Sequence, residues 1–178
     1  MRILLSAVLA FSLPTFAMAA GSGTSTAPKP TKTTKECKGV RVWDNTKQRC
    51  VRPKQSSLDQ DDLYDAVREL AYAGRIQDAQ GVLTAMDDQQ SDRVLTYWGF
   101  TNRKLGKVDA AMMFYTAAIE KNPDNMLARS YMGQGMVVSG DVTGAKLQLA
   151  EIEARGGAYS WPATSLRQAI YVGKTYDY

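Results

Sequence analysis

The chain has 178 residues, 44% of them hydrophobic, and a formal net charge of +4. It contains no histidine and two cysteines, which removes the commonest general base and metal ligand and leaves too few ligands for an ordinary structural zinc site. No enzyme, metal or cofactor is expected from such a set.

Charge is unevenly placed along the chain. Nine basic and two acidic residues fall between Lys29 and Lys54, against twelve basic and sixteen acidic between Gln55 and Tyr178. A basic arm on an acidic body is the expectation.

Residues 1–20 read as a secretory signal peptide. Arg2 supplies the positive start, Ile3 to Leu13 the apolar run, and Ala17-Met18-Ala19 a small-residue cleavage site near Ala19/Ala20. The run is short for a membrane-spanning helix, so the mature chain is expected to be periplasmic or secreted and not an integral membrane protein. Residues 21–36 hold Ser, Thr, Pro and Lys with no large apolar side chain. Such a stretch buries too little surface to offset its ordering entropy, and a disordered linker is predicted.

The basic segment 37–54 follows. Two cysteines with none left over in an exported chain predict a Cys37–Cys50 disulfide, stabilising the segment by roughly 3 kcal/mol. Val40 to Trp43 alternates, Asp44-Asn45 is a turn signal, and Gln48 to Arg52 returns as a second strand. A lone hairpin is marginal in water, so the bridge is expected to hold it. Arm and body are expected to be separate units, with helical melting indifferent to reduction of the bridge.

Beyond residue 57 the apolar period is helical. Leu95, Trp98, Phe100 and Leu105 mark one helix, and Ala111, Phe114, Tyr115, Ala118 and Ile119 the next. Leu105-Gly106-Lys107 breaks between them, and Asn122-Pro123-Asp124 ends the second. A step of 34 residues from Gly99, Gly106 and Ala111 reaches Gly133, Gly140 and Ala145, while 32 residues back from the last two lie Gly74 and Ala79. Three helix pairs are therefore predicted, over 58–90, 92–125 and 126–157. Ser160-Trp161-Pro162 opens a final helix, 160–173, whose Leu166, Ala169 and Ile170 would cap the stack. The fold class is all-α. Carboxylates at Asp59, Asp61, Asp62, Asp87 and Asp88 are read as helix-start and turn residues rather than an acid–base pair.

The central pair carries Leu95, Trp98-Gly99, Ala111, Tyr115, Ala118 and Pro123 at one spacing. This pattern resembles the tetratricopeptide repeat (TPR) as found in exported bacterial proteins. It departs at Asn102, where the family has an aromatic, and at Leu95, where it has tryptophan. The resemblance implies an αα-solenoid whose first helices line a concave groove for a protein or peptide partner. Tyr64, Arg68 and Tyr72 would line it from the first pair, and Arg93, Thr96, Phe100, Arg103 and Lys104 from the second. The third would add Leu127, Ser130, Gln134 and Val137.

Arg93, Phe100 and Arg103 share one helical face, so an exposed phenylalanine between two guanidinium groups is expected there. The expected function is a non-enzymatic adaptor of the cell envelope. The alternative is a protein whose basic arm holds anionic lipid, polysaccharide or cell wall. Nucleic acid is disfavoured by export.

Overall fold

Several helices begin or end where a side chain or a glycine turn satisfies backbone groups that the helix itself leaves unpaired. The computed structural model describes residues 26–55 and 58–175. The expected signal peptide, the first residues of the linker and the last three residues lie outside them. The elements are α1 (Lys32–Glu36), β1 (Val42–Asp44), β2 (Arg49–Val51), a 3-10 turn (Pro53–Gln55), α2 (Gln60–Tyr72), α3 (Ile76–Leu83), α4 (Asp92–Lys104), α5 (Val108–Lys121), α6 (Met126–Val138), α7 (Val142–Ile152) and α8 (Trp161–Val172).

The caps follow from residue type. The Asp59 carboxylate accepts from the N–H groups of Asp61 and Asp62 at 2.9 and 2.8 Å. Asn125 and Asp141 serve α6 and α7 in the same way, each at 2.8 Å. Three glycines close the three short turns identically. Gly74, Gly106 and Gly140 take φ of +74°, +78° and +84°. The next N–H, from Arg75, Lys107 or Asp141, donates back to Leu70, Asn102 or Met136 C=O at 2.9 Å in every case. This is the left-handed cap that an L side chain resists.

Turns of this length bring consecutive helices together as the pairs α2–α3, α4–α5 and α6–α7, and the first helices α2, α4, α6 and α8 also pack in succession. The largest buried cluster runs through the first two pairs into α6, with Leu70, Val82, Tyr97, Phe100, Tyr115 and Tyr131 at its centre. A second, around Val137, Ala145, Ile152 and Leu166, seats α8. No helix among the described residues is long and apolar enough to cross a membrane.

Two expectations about the N-terminal part are corrected. Residues 26–36 are not a free linker in the described portion, because α1 and its flanks are held to α2. The Glu69 carboxylate accepts from Thr31 N–H and Thr31 Oγ1 at 2.6 Å and from Thr34 N–H at 3.0 Å. Buried Thr33 receives Trp43 N–H on its hydroxyl at 3.1 Å, joining α1 to β1. Polar docking of this kind leaves no trace in hydropathy.

The arm is not a separate unit either. The Cys37–Cys50 disulfide is present, with Cα atoms 5.6 Å apart. The strands pair antiparallel with Val42 opposite Val51. Arg75, at the α2–α3 turn, donates to the carbonyls of Cys37 and Gly39 at 2.8 and 2.9 Å. Val40 lies so close to α3 that a Cβ on Gly81 would come within 2.4 Å of its side chain.

Gly99 supplies the stability test. A Cβ there would meet the buried Tyr115 ring at 2.5 Å, and that ring has no room to retreat. Gly99→Ala is expected to cost about 1–3 kcal/mol by overpacking, read as a lowered denaturation midpoint with the far-UV circular dichroism of the folded state unchanged.

Candidate functional site

The residues expected to line a groove are gathered by the fold, but mostly into its interior. Phe100 is fully buried. Its ring stacks on Tyr72 at 5.7 Å, lies 4.7 Å from Tyr131, and is covered by the Arg103 guanidinium and Lys104 ammonium at 5.5 and 5.7 Å. The exposed phenylalanine expected from the helical period is therefore corrected. The period places Phe100 on the face of α4 that turns toward α2 and α6, and both neighbours fill that side with aromatic rings.

Tyr72 donates or accepts at the Tyr131 hydroxyl, 2.5 Å away, and receives Trp161 Nε1–H at 3.4 Å, so α8 reaches back to the end of α2. Tyr64 is buried edge-on to Tyr97 and lies under Arg93, whose guanidinium pairs with Asp61. Arg68 is buried, paired with Asp65 at 3.2 Å, and donates to the Thr26 carbonyl at 2.9 Å.

Three more residues serve contacts between helices. Thr96 accepts from Asn125 Nδ2 at 2.9 Å and is 1% exposed. Ser130 donates to Pro162 C=O at 2.7 Å, and Gln134 donates toward Ser130 and Ser165 at 3.4 and 3.5 Å, all at the α6–α8 contact. Leu127 and Val137 are buried. Lys104 is exposed and Arg93 and Tyr72 are half-buried, so these three form the open rim of an otherwise filled face.

Burial pushes the phenols of Tyr64, Tyr97 and Tyr115 above the ordinary tyrosine range, against the opposing pull of Arg68 on the first two and of Arg103 on the third. Their neutral forms are what the fold accepts.

An open site lies elsewhere. Between the hairpin and the end of α3 is a cleft of about 660 Å³ lined by Lys38, Arg41, Arg52 and Lys54, with Val40, Pro53 and Ala85 as apolar wall. Among the described residues no ion pair or side-chain hydrogen bond engages any of these four cations. A second cleft, of about 540 Å³ between α1, β1 and α2, mixes Lys32 and Lys35 with Asp62, Asp65 and Glu69 and so answers much of its own charge. The first is the better candidate for a ligand.

The charge density of the arm was legible in the sequence, and the cleft was not. Gly81 inside a helical period was its one signal, since a glycine kept there at a cost in helix stability often serves packing. No family model matches the chain, and no curated protein or solved structure matches it.

Two measurements check the filled face. Phe100→Ala is expected to behave as a core deletion costing about 3–5 kcal/mol in chemical denaturation, where an exposed groove residue would change stability by less than about 0.5 kcal/mol. In an alkaline titration followed by phenolate absorbance, Tyr64, Tyr97 and Tyr115 should ionise only as the helical signal is lost. Their raised folded values contribute stability that is intact below about pH 10, the unfolded value, and is lost as pH rises above it.

Proposed function

We propose that this protein is a non-enzymatic binding module of the cell envelope, exported by its first twenty residues, in which a TPR-type stack of helix pairs presents the basic disulfide-closed segment to an anionic partner. The observation that carries this reading is the group of four cations, Lys38, Arg41, Arg52 and Lys54, that line one cleft and have no ion-pair partner among the described residues. Support for the TPR-type body comes from the glycine turns at intervals of 32 and 34 residues and from the matched residues of the central pair. The basic segment is fixed to that body by Glu69, Arg75 and the disulfide, so the backbone that carries these cations is already ordered before a partner binds.

A second reading keeps the adaptor role, with a partner peptide on the face lined by the first helices. One observation favours it. Arg68 already takes a main-chain carbonyl from residue 26, and a partner strand would offer the same group. Most of that face is occupied by the protein's own side chains, which is why it ranks second.

The mature protein is expected to co-sediment with an anionic envelope preparation at low salt and to be released as salt rises, since exposed charges are screened beyond about 10 Å at 0.1 M. A variant with Lys38, Arg41, Arg52 and Lys54 all changed to Gln should stay in the supernatant with unchanged helicity. Sedimentation indifferent to both salt and these charges would defeat the reading and favour the adaptor role.

A further inference from the structure

The hairpin ladder ends with Val42 opposite Val51, so Arg41 and Arg52 are the residues just beyond its last pair. Like charges brought together at the end of a hairpin disfavour its closing. Lys38 and Lys54 line the same cleft, so four positive charges converge on one space without a carboxylate among its lining residues. The arrangement is nonetheless tightly tied. The disulfide lies one step further along the ladder, where Cys50 faces Trp43. Arg75 fixes the carbonyls on both sides of Lys38, and Val40 is seated on Gly81 of α3. The fold thus spends three anchors on holding like charges together, which suits a pre-formed anion receptor.

The geometry points to this cleft as a binding site for a phosphate-bearing ligand, a deepening of the reading above that rests on it. Arg41 and Arg52 provide planar forks that take pairs of phosphate oxygens, and Lys38 and Lys54 provide point charges that neutralise a group carrying more than one negative charge. A volume of about 660 Å³ falls in the range of small-molecule sites, roughly 300–1,000 Å³, and exceeds what one phosphate ion fills. The open cleft thus has room for a ligand with a phosphate end and a body that rests on the apolar wall of Val40, Pro53 and Ala85. That chemistry is shared by soluble phosphoesters and by phospholipid headgroups.

The test uses the oxidised full-length mature chain, with inorganic pyrophosphate in calorimetry and, separately, phosphatidylcholine vesicles with and without phosphatidic acid in sedimentation. Saturable binding of one pyrophosphate per chain is expected. It should weaken at least tenfold in Arg41→Gln/Arg52→Gln, and also in Ala85→Trp, which leaves every charge and fills the cleft. Lys29→Gln/Lys35→Gln, which removes equal charge from the basic arm outside the cleft, should stay within twofold. Circular dichroism and non-reducing mass confirm that each variant is folded and bridged.

Vesicle-bound protein released by pyrophosphate would place a lipid headgroup in the cleft, and vesicles ignored by a chain that binds pyrophosphate would assign a soluble ligand. Equal weakening in both double variants would overturn the cleft and leave diffuse attraction by the whole segment. The cleft also falls, with the broader reading intact, if acidic vesicles are bound but pyrophosphate is not. Failure of both probes and of the envelope preparation would sink the two together.

Discussion

Tyr131 is the side chain on which the arrangement of the helices turns. It is fully buried on α6, its hydroxyl lies 2.5 Å from that of Tyr72 on α2 and 3.4 Å from that of Tyr97 on α4, and its ring meets Phe100 at 4.7 Å. Through Tyr72 the chain of contacts continues to Trp161 on α8. Aromatic rings with hydroxyl tips suit this position, since their bodies bury large apolar area while the hydroxyls satisfy one another. First helices from four successive units are thereby drawn onto one centre. The side that a looser stack would leave as a channel becomes interior.

That closure redirects the functional question from the face of the first helices to the edge of the first pair. Residues 26–54 carry few apolar side chains, and only Val42 among them joins the main buried cluster. Two ionic side chains on the first pair add to that contact, Glu69 accepting at α1 and Arg75 donating into the disulfide segment. Hydrogen bonds to charged groups are worth about 1.5–3 kcal/mol each, enough for a few of them to order a short polar stretch. Because both anchors sit on α2 or its following turn, the disulfide segment is coupled to the body mechanically. Its basic residues face solvent from a fixed frame.

Local chemistry made much of the fold legible. The helical periods, the three glycine turns, the capping aspartates, the hairpin and the disulfide all depend on residues within a turn or two of one another, or on two cysteines with no other partner. Phe100 shows where this stops. Its seven-residue spacing from Arg93 places the two on one side of a helix, but which side of a helix is solvent depends on how tightly neighbouring helices wind, and no local pattern carries that. Ser130 and Gln134 fail for a related reason, since α8 covers them from more than thirty residues away.

The sequence by itself determined the all-α body, its division into helix pairs, the bridge between Cys37 and Cys50, and the concentration of positive charge before residue 55. Only the tertiary structure decided that the aromatic face is filled, that residues 26–36 lie docked on α2, and that Lys38, Arg41, Arg52 and Lys54 share a cleft with the end of α3. The physical reason is range. Periodicity, capping and turn conformation are energies of neighbours in the chain, whereas exposure and charge convergence are set by contacts between segments tens of residues apart. At Glu69, Arg75 and Gly81 those contacts hang on single side chains, or on the absence of one.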